Sequence, residues 1–160
     1  MQMGEGVEWA LHSCLNLGWN EGEAATAARL AAFYDLPAAY LNKQLQALAR
    51  AGILTSAPGP RGGFRLGRPL EKITLLDVVV AIEGAEDAFR CRQILKDGPG
   101  GSTEVDYRET CVLNGAMRRA ELAWRRELAA QTLAEIRDTV ERTFPGTPEH
   151  TRERLSTLRR

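Results

Sequence analysis

The stretch from Pro37 to Pro69 limits what this 160-residue chain can fold into more than any other. It opens with PAAYLNKQLQALARAG, in which Leu41, Leu45 and Leu48 recur at i, i+4 and i+7. That spacing predicts a helix with an apolar stripe, with Ala39, Lys43, Gln46 and Arg50 on the other side. Pro37 suits the first helical position, where a missing N–H costs nothing, and Asp35 is the candidate cap. Gly52 suits the helix C-terminus. Two short strands are expected next, Ile53 to Ser56 and Phe64 to Leu66, joined by PGPRGG. Glycines in such a turn permit positive φ. A helix feeding directly into a basic two-stranded ribbon is the pattern of a winged helix-turn-helix.

The flanks agree with that reading. Val7 to Leu17 reads as a helix, ended by Gly18, and Thr26 to Tyr34 as an alanine-rich second helix. Thr74 and Asp77 form a capping pair for a helix over TLLDVVVAIEG, which Gly84 stops. Residues 85–110 look mostly irregular, with a tight turn at GPGGS over 98–102. A long helix is expected from Cys111 to Ala130, with Leu113, Met117, Ala120, Trp124 and Leu128 on one face. A long amphipathic helix outside a small domain needs a partner, and a second copy of the chain is the simplest one. The tail after Phe144, rich in Pro, Gly and charge, is read as loose. The expected fold class is therefore mostly α with a small β-hairpin wing. The expected divisions are 1–84 for the winged domain, 85–110 for a loop, 111–143 for the dimerisation helix and a following short helix, and 144–160 for a charged, flexible tail.

Composition narrows the class further. The formal net charge is zero, which conceals an uneven distribution. Arg29, Lys43, Arg50, Arg61, Arg65, Arg68 and Lys72 face only Asp35 and Glu71 between residues 29 and 72, whereas residues 83–109 are slightly acidic. No run is long and apolar enough for a membrane span, and no export signal is visible. Three cysteines at wide spacing make a poor disulfide framework, so a reducing cytoplasm is the expected location. GxSxG, P-loop and metal-hydrolase signatures are missing, so neither an enzyme nor a small-molecule substrate is expected.

Reading a major groove takes an exposed helix face with short or polar side chains near its N-terminus. Ala38, Ala39, Asn42, Lys43 and Gln46 fit that need, and Tyr40 can reach a phosphate. Arg61 at the hairpin tip suits a minor groove or phosphates, and Arg65 with Arg68 can hold the backbone. The expected partner is double-stranded operator DNA, bound by a homodimer.

The run YLNKQLQALARAGILTSAPGPRGGFRLGRP, followed by ITLLDVVVAIEG, resembles the Rrf-type family of bacterial transcription regulators, which includes the iron–sulfur regulators IscR and NsrR. The likeness spans roughly residues 3 to 140, and VEWALH also resembles redox-sensing actinobacterial members with a binuclear cluster. The resemblance implies a dimer with crossing long helices and a cluster-bearing loop from Cys91 to Cys111. The family's usual pattern has three cysteines in that loop. Here Cys91 matches the first and Cys111 the last, but residues 102–110 read STEVDYRET and supply no middle cysteine.

Two thiolates cannot supply the four ligands of an iron–sulfur cluster. Of the two histidines, His150 lies in the charged tail and His12 lies four residues after Glu8, on the same face of the first helix. The expectation is a [2Fe–2S] cluster held by Cys91 and Cys111 on one side and Glu8 and His12 on the other, the pairs coming from different subunits. Trp9, between the two α1 ligands, is the candidate signal relay. Cys14 is read as core, and Glu104, Asp106 and Glu109 are substitute oxygen donors. The competing expectation keeps DNA binding but has Zn²⁺ in place of the cluster, or no cofactor at all.

Overall fold

The computed structural model describes residues 3–158. The first helix, α1 (Glu5–Trp19), buries Val7, Ala10, Cys14 and Leu17 along one stripe. Gly18 lies inside this helix and does not end it. A Cβ at Gly18 would stand 2.7 Å from Leu70 Cδ1, so the glycine serves close packing. Thr26 caps α2 (Ala27–Phe33) by accepting the Arg29 N–H.

Helix α3 (Ala38–Arg50) puts Leu41, Leu45 and Leu48 at 0 % exposure, as the periodicity predicts. Its start differs from expectation. Pro37 is the residue before the first helical turn, and no side chain caps the helix. Asp35 instead takes a left-handed conformation at φ 55° and turns the chain from α2 into α3. At the other end the Gly52 N–H bonds the Ala49 carbonyl and the Ile53 N–H the Leu48 carbonyl, at 3.0 Å each. This is the Schellman arrangement, with Gly52 at φ 73° and the buried pair Ile53 and Leu48 closing it.

The wing consists of β1 (Leu54–Ala57) and β2 (Gly63–Leu66), antiparallel, with Leu54 opposite Leu66 and Ala57 opposite Gly63. Ala25 adds an antiparallel bridge to Phe64. Gly63 sits at φ 127°, and a Cβ there would lie 2.6 Å from the Ala25 carbonyl. The hairpin is thus pinned to the segment before α2 by backbone contact that only glycine permits. Helix α4 (Leu75–Glu83) has the expected reciprocal cap between Thr74 and Asp77, and Gly84 follows at φ 94°.

The loop after α4 holds a 3-10 turn at Ile94–Asp97 and one helical turn, α5 (Tyr107–Thr110). Cys111 then begins α6 (Val112–Ala130). The apolar face of α6 is open to solvent at its start in the single chain: Leu113 is 74 % and Met117 43 % exposed, whereas Trp124 and Leu128 further along are half-buried. Arg125, half-buried, ties α6 to the end of α4 by donating to the Ala85 and Glu86 carbonyls at 3.1 Å and pairing with Glu121.

The chain then returns to the winged unit. Thr132 bridges Thr74, and the Leu133 N–H bonds the Ile73 carbonyl at 2.8 Å. Helix α7 (Leu133–Thr143) carries a second reciprocal cap, Thr132 with Glu135. Residues 144–160, read from sequence as a loose tail, instead include helix α8 (Thr147–Thr157), which packs on α1 and α2. Its Leu155 is fully buried, and Arg29 donates to the Leu155 carbonyl. Leu133 and Leu155 belong to the same core as Leu45 and Val78, so that core joins segments which the sequence reading separates. No described helix is long and apolar enough to cross a membrane.

Leu155→Ala is expected to lower unfolding stability by about 2–5 kcal/mol, the usual cost of emptying a buried leucine site. Urea melts at fixed protein concentration measure it. A freely moving tail would leave the midpoint unchanged.

Candidate nucleic-acid interface and metal centre

The core stripe of α3 fixes which of its residues face outward. With Leu41, Leu45 and Leu48 turned inward, Ala38, Ala39, Tyr40, Asn42, Lys43, Gln46 and Arg50 are all exposed. The first two turns present small and amide side chains with one lysine, a surface able to approach base edges. On the wing, Arg61 and Arg65 are exposed. They line a groove that also includes Thr26 and Arg29 at the start of α2. Helix, wing and groove therefore make one basic surface. Arg68 departs from its expected role of holding the DNA backbone. It pairs with Asp77, the capping carboxylate of α4, at 3.6 Å.

Glu8 and His12 are exposed, one turn apart on α1. With Met3, Val7 and Leu11 they line a shallow pocket near the helix N-terminus. Two ring contacts leave this region. Trp9 meets Tyr40 of α3 edge-on, with centroids 5.1 Å apart at 78°. His12 meets Tyr34, just after α2, at 5.6 Å and 64°. Tyr34 also exchanges hydrogen bonds with the buried Asn16 amide. Burial pushes the Tyr34 hydroxyl above the ordinary phenol range, against the opposing pull of Asn16, so it stays neutral.

Cys91 and Cys111 are half-buried and free. Cys91 lies in a pocket with Phe89, Arg90, Arg108, Asn114 and Arg118. Cross-links hold the two arms of the loop. The Tyr107 N–H donates to Gln93 Oε1 at 3.1 Å, and the Tyr107 hydroxyl accepts the Ser102 N–H at 3.0 Å. Gln93, two residues after Cys91, takes a left-handed backbone at φ 57°. Buried Asn114 donates to the Arg108 carbonyl and fixes the corner where Cys111 sits. Asp106 caps α5 and binds Arg108, whose guanidinium and N–H hold its carboxyl below the ordinary range. That engagement makes Asp106 a poor metal donor.

Cys14 is different. It is fully buried in α1, and burial pushes its thiol up to about 12. It stays protonated and is no metal ligand, in line with its reading as core. Among the described residues of one chain, no three His, Cys, Asp or Glu side chains form a metal-binding group. Glu8 and His12 share a helix face, and the cysteines flank one loop; the single chain does not gather all four.

The donor set nonetheless suits an iron–sulfur cluster. It offers two accessible thiols, one accessible imidazole and one accessible carboxylate. Three arginines and two carboxylates, Glu86 and Asp87, line the Cys91 pocket, with Arg90 paired to Glu86 and Arg108 to Asp106. Sequence reasoning missed Tyr34 and the Gln93–Tyr107 link. Both depend on contacts between elements distant in the chain, and neither has a local signal.

Residues 3–139 match the family model described as Rrf2, iron-dependent transcriptional regulator. The chain is 30 % identical over 141 residues to the HTH-type transcriptional regulator YwgB of Bacillus subtilis, covering 88 % of this chain and 86 % of that one. It is also 30 % identical over 80 residues to the regulator IscR of Cereibacter sphaeroides, covering 50 % of this chain and 52 % of that one. Among solved structures, IscR of T. potens aligns with a TM-score of 0.68 at 18 % identity, over 90 % of this chain and 91 % of that one. CymR, the global cysteine regulator of B. subtilis, aligns at 0.64 and 19 %, over 87 % and 98 %. These structural likenesses establish a winged-helix fold, and the relatives' names are those of regulators and not of enzymes. With the family model covering most of its length and a 30 % identical relative covering 88 % of it, this chain belongs to the Rrf2 family of transcriptional regulators.

Proposed function

We propose that the protein is a homodimeric regulator, a repressor, whose affinity for operator DNA is set by a [2Fe–2S] cluster. The observation that carries this reading is the Trp9–Tyr40 contact. It joins the helix face bearing Glu8 and His12 to the helix bearing the DNA-facing side chains.

Each subunit lays α3 in a major groove. Ala38, Ala39, Asn42 and Gln46 approach base edges, while Tyr40, Lys43, Arg61 and Arg65 hold phosphates. The open start of the apolar face of α6, with Leu113 and Met117 exposed, is covered by the second subunit's α6, because exposed hydrocarbon on one helix is costly in water. Cys91 and Cys111 of one subunit and Glu8 and His12 of the other hold the cluster. That division accounts for two half-sites in one chain with no complete group.

When bound, the cluster supplies a one-electron couple, which imidazole ligation raises relative to all-thiolate ligation. The chain's residues do the rest. Arg118, beside the ion-paired Arg90 and Arg108, offsets negative charge around Cys91. His12 would hold the cluster through one ring nitrogen and leave the other free for a hydrogen bond. Glu8 and His12 hold the first turns of α1 in place, and Trp9 between them bears on Tyr40. A change in how α1 is held therefore moves an aromatic ring that touches the DNA-reading helix. The signal, whether redox state or another, acts through that contact.

The anaerobically purified protein is expected to be coloured, with iron and sulfide in equal amounts and about two irons per site. His12→Ala and Glu8→Ala are expected to lose or alter the visible spectrum, and Cys14→Ala to keep it. Colourless protein containing zinc would instead support a structural zinc site. Trp9→Ala is expected to keep the cluster yet lose the difference in DNA affinity between cluster states, measured by fluorescence anisotropy. Arg61→Ala is expected to weaken binding to all sequences alike and to reduce the slope of log affinity against log salt by about 1.

A further inference from the structure

The Trp9 contact reaches α3 on its exposed face, but the orientation of a helix needs more than one fixed point. His12 makes the second ring contact, with Tyr34. Tyr34 is the C-terminal cap of α2, one residue before the left-handed turn at Asp35. That turn is tight. The Leu36 N–H bonds the Ala31 carbonyl at 2.9 Å, and Asp35 sits at φ 55°, where a residue other than glycine is rarely stable. The first turn of α3 has no side-chain cap, so this turn, with the packing of Tyr40 and Leu41, places the N-terminal end proposed to meet DNA.

Tyr34 is anchored on three sides. Its ring meets His12, and it meets Phe33 edge-on at 4.7 Å. Its hydroxyl exchanges hydrogen bonds with Asn16, which is 2 % exposed. Both His12 and Asn16 lie on α1, four residues apart and so on one face. The ring therefore clamps the end of α2 to the ligand-bearing side of α1.

We propose that Tyr34 is a positioning residue that couples the His12 side of α1 to the α2–α3 turn, so that α3 is held from two points, Trp9–Tyr40 and His12–Tyr34. This inference rests on the reading of Glu8 and His12 as the input. A ligand shifts an equilibrium only through contacts that differ between its two states. Among the described residues, the ring of the proposed ligand His12 meets Tyr34 of the DNA-reading unit. Tyr40 reports movement of α1 to the first turn of α3 itself, and Tyr34 reports it to the hinge that sets the angle of α3.

The test uses the full chain and a duplex selected from randomised DNA with the wild-type protein. Anisotropy gives the DNA affinity of the cluster-loaded and cluster-free forms. Tyr34→Leu is expected to keep the visible spectrum and iron content and to leave cluster-free affinity within about twofold. It is expected to shrink the ratio of the two affinities at least fivefold. Tyr34→Phe keeps the ring and is expected to restore most of that ratio. An unchanged ratio in Tyr34→Leu, or an equal loss in both forms, overturns the proposal. If Tyr34→Leu loses its helical circular dichroism, Tyr34→Met replaces it with the same outcomes. If the wild type holds no cluster, the reading of the site fails, and a second measurement decides this inference separately. That measurement is a double-mutant cycle of His12→Ala and Tyr34→Leu on the cluster-free protein. Non-additivity in operator affinity beyond experimental error supports coupling through the ring pair, and additivity within experimental error overturns it.

Discussion

The close approach of α1 to α3 is the constraint on which the rest of the molecule depends. At Gly6 a Cβ would stand 2.9 Å from Cδ of Gln44, a residue only 7 % exposed. A side chain at Gly6 would have to displace that buried amide. With hydrogen alone at this position, the first turns of α1 lie directly against the middle of α3. Two and three residues further on are Glu8 and Trp9, and the ring of Trp9 reaches Tyr40. Separating the helices by the width of a methyl group would loosen that edge contact, because aromatic pairs are weak and depend steeply on distance.

The same approach explains why α1 can carry two kinds of chemistry. Val7, Ala10, Cys14 and Leu17 belong to its buried side, and Glu8 and His12 belong to its exposed side. Cys14 and His12 are two residues apart, yet one is a neutral thiol inside the core and the other an accessible imidazole. A helix turns 100° per residue, so neighbours in sequence meet different environments. The core face fixes α1 against α3, and the outer face bearing Glu8 and His12 stays open to solvent.

How much was legible from the sequence follows from how local each determinant is. The stripe of α3, the turn at Gly52, the reciprocal cap at Thr74 and the wing glycines are all specified within a few residues, and all take the expected form. The start of α3 is out by one residue because the Asp35 backbone geometry, not a cap, sets it. Helix α8 was missed for a different reason. Its buried residues, Thr151 and Leu155, with half-buried Leu158, recur at i, i+4 and i+7, a stripe too thin to stand out among Arg and Glu. Its stability comes from the α1 and α2 surface beneath it, which no local pattern reveals. The candidate site divides the same way: residue types and spacing single out Glu8 and His12, whereas the packing of Tyr34 and Gln93 required the fold.

The position of α8 also bears on how the surface charge is used. The basic stretch from Arg29 to Lys72 suggests seven cations free to meet DNA, but the fold commits several of them. Arg29 donates to the Ala24 and Leu155 carbonyls, and Arg68 pairs with Asp77. Arg137 of α7 takes Glu71 at 3.3 Å and so removes an acidic group from the same region. What remains outward is Lys43 and Arg50 on α3, Arg61 and Arg65 on the wing, and Lys72 after it. Fewer exposed cations mean fewer phosphate contacts and a smaller salt-dependent term in binding. The balance of affinity then shifts toward how well α3 fits the groove, which is the quantity that a change in the orientation of α3 can control. In the proposed reading, the fit of α3 in the groove, adjusted through the Trp9–Tyr40 and His12–Tyr34 contacts, then acts beside the pull of these cations.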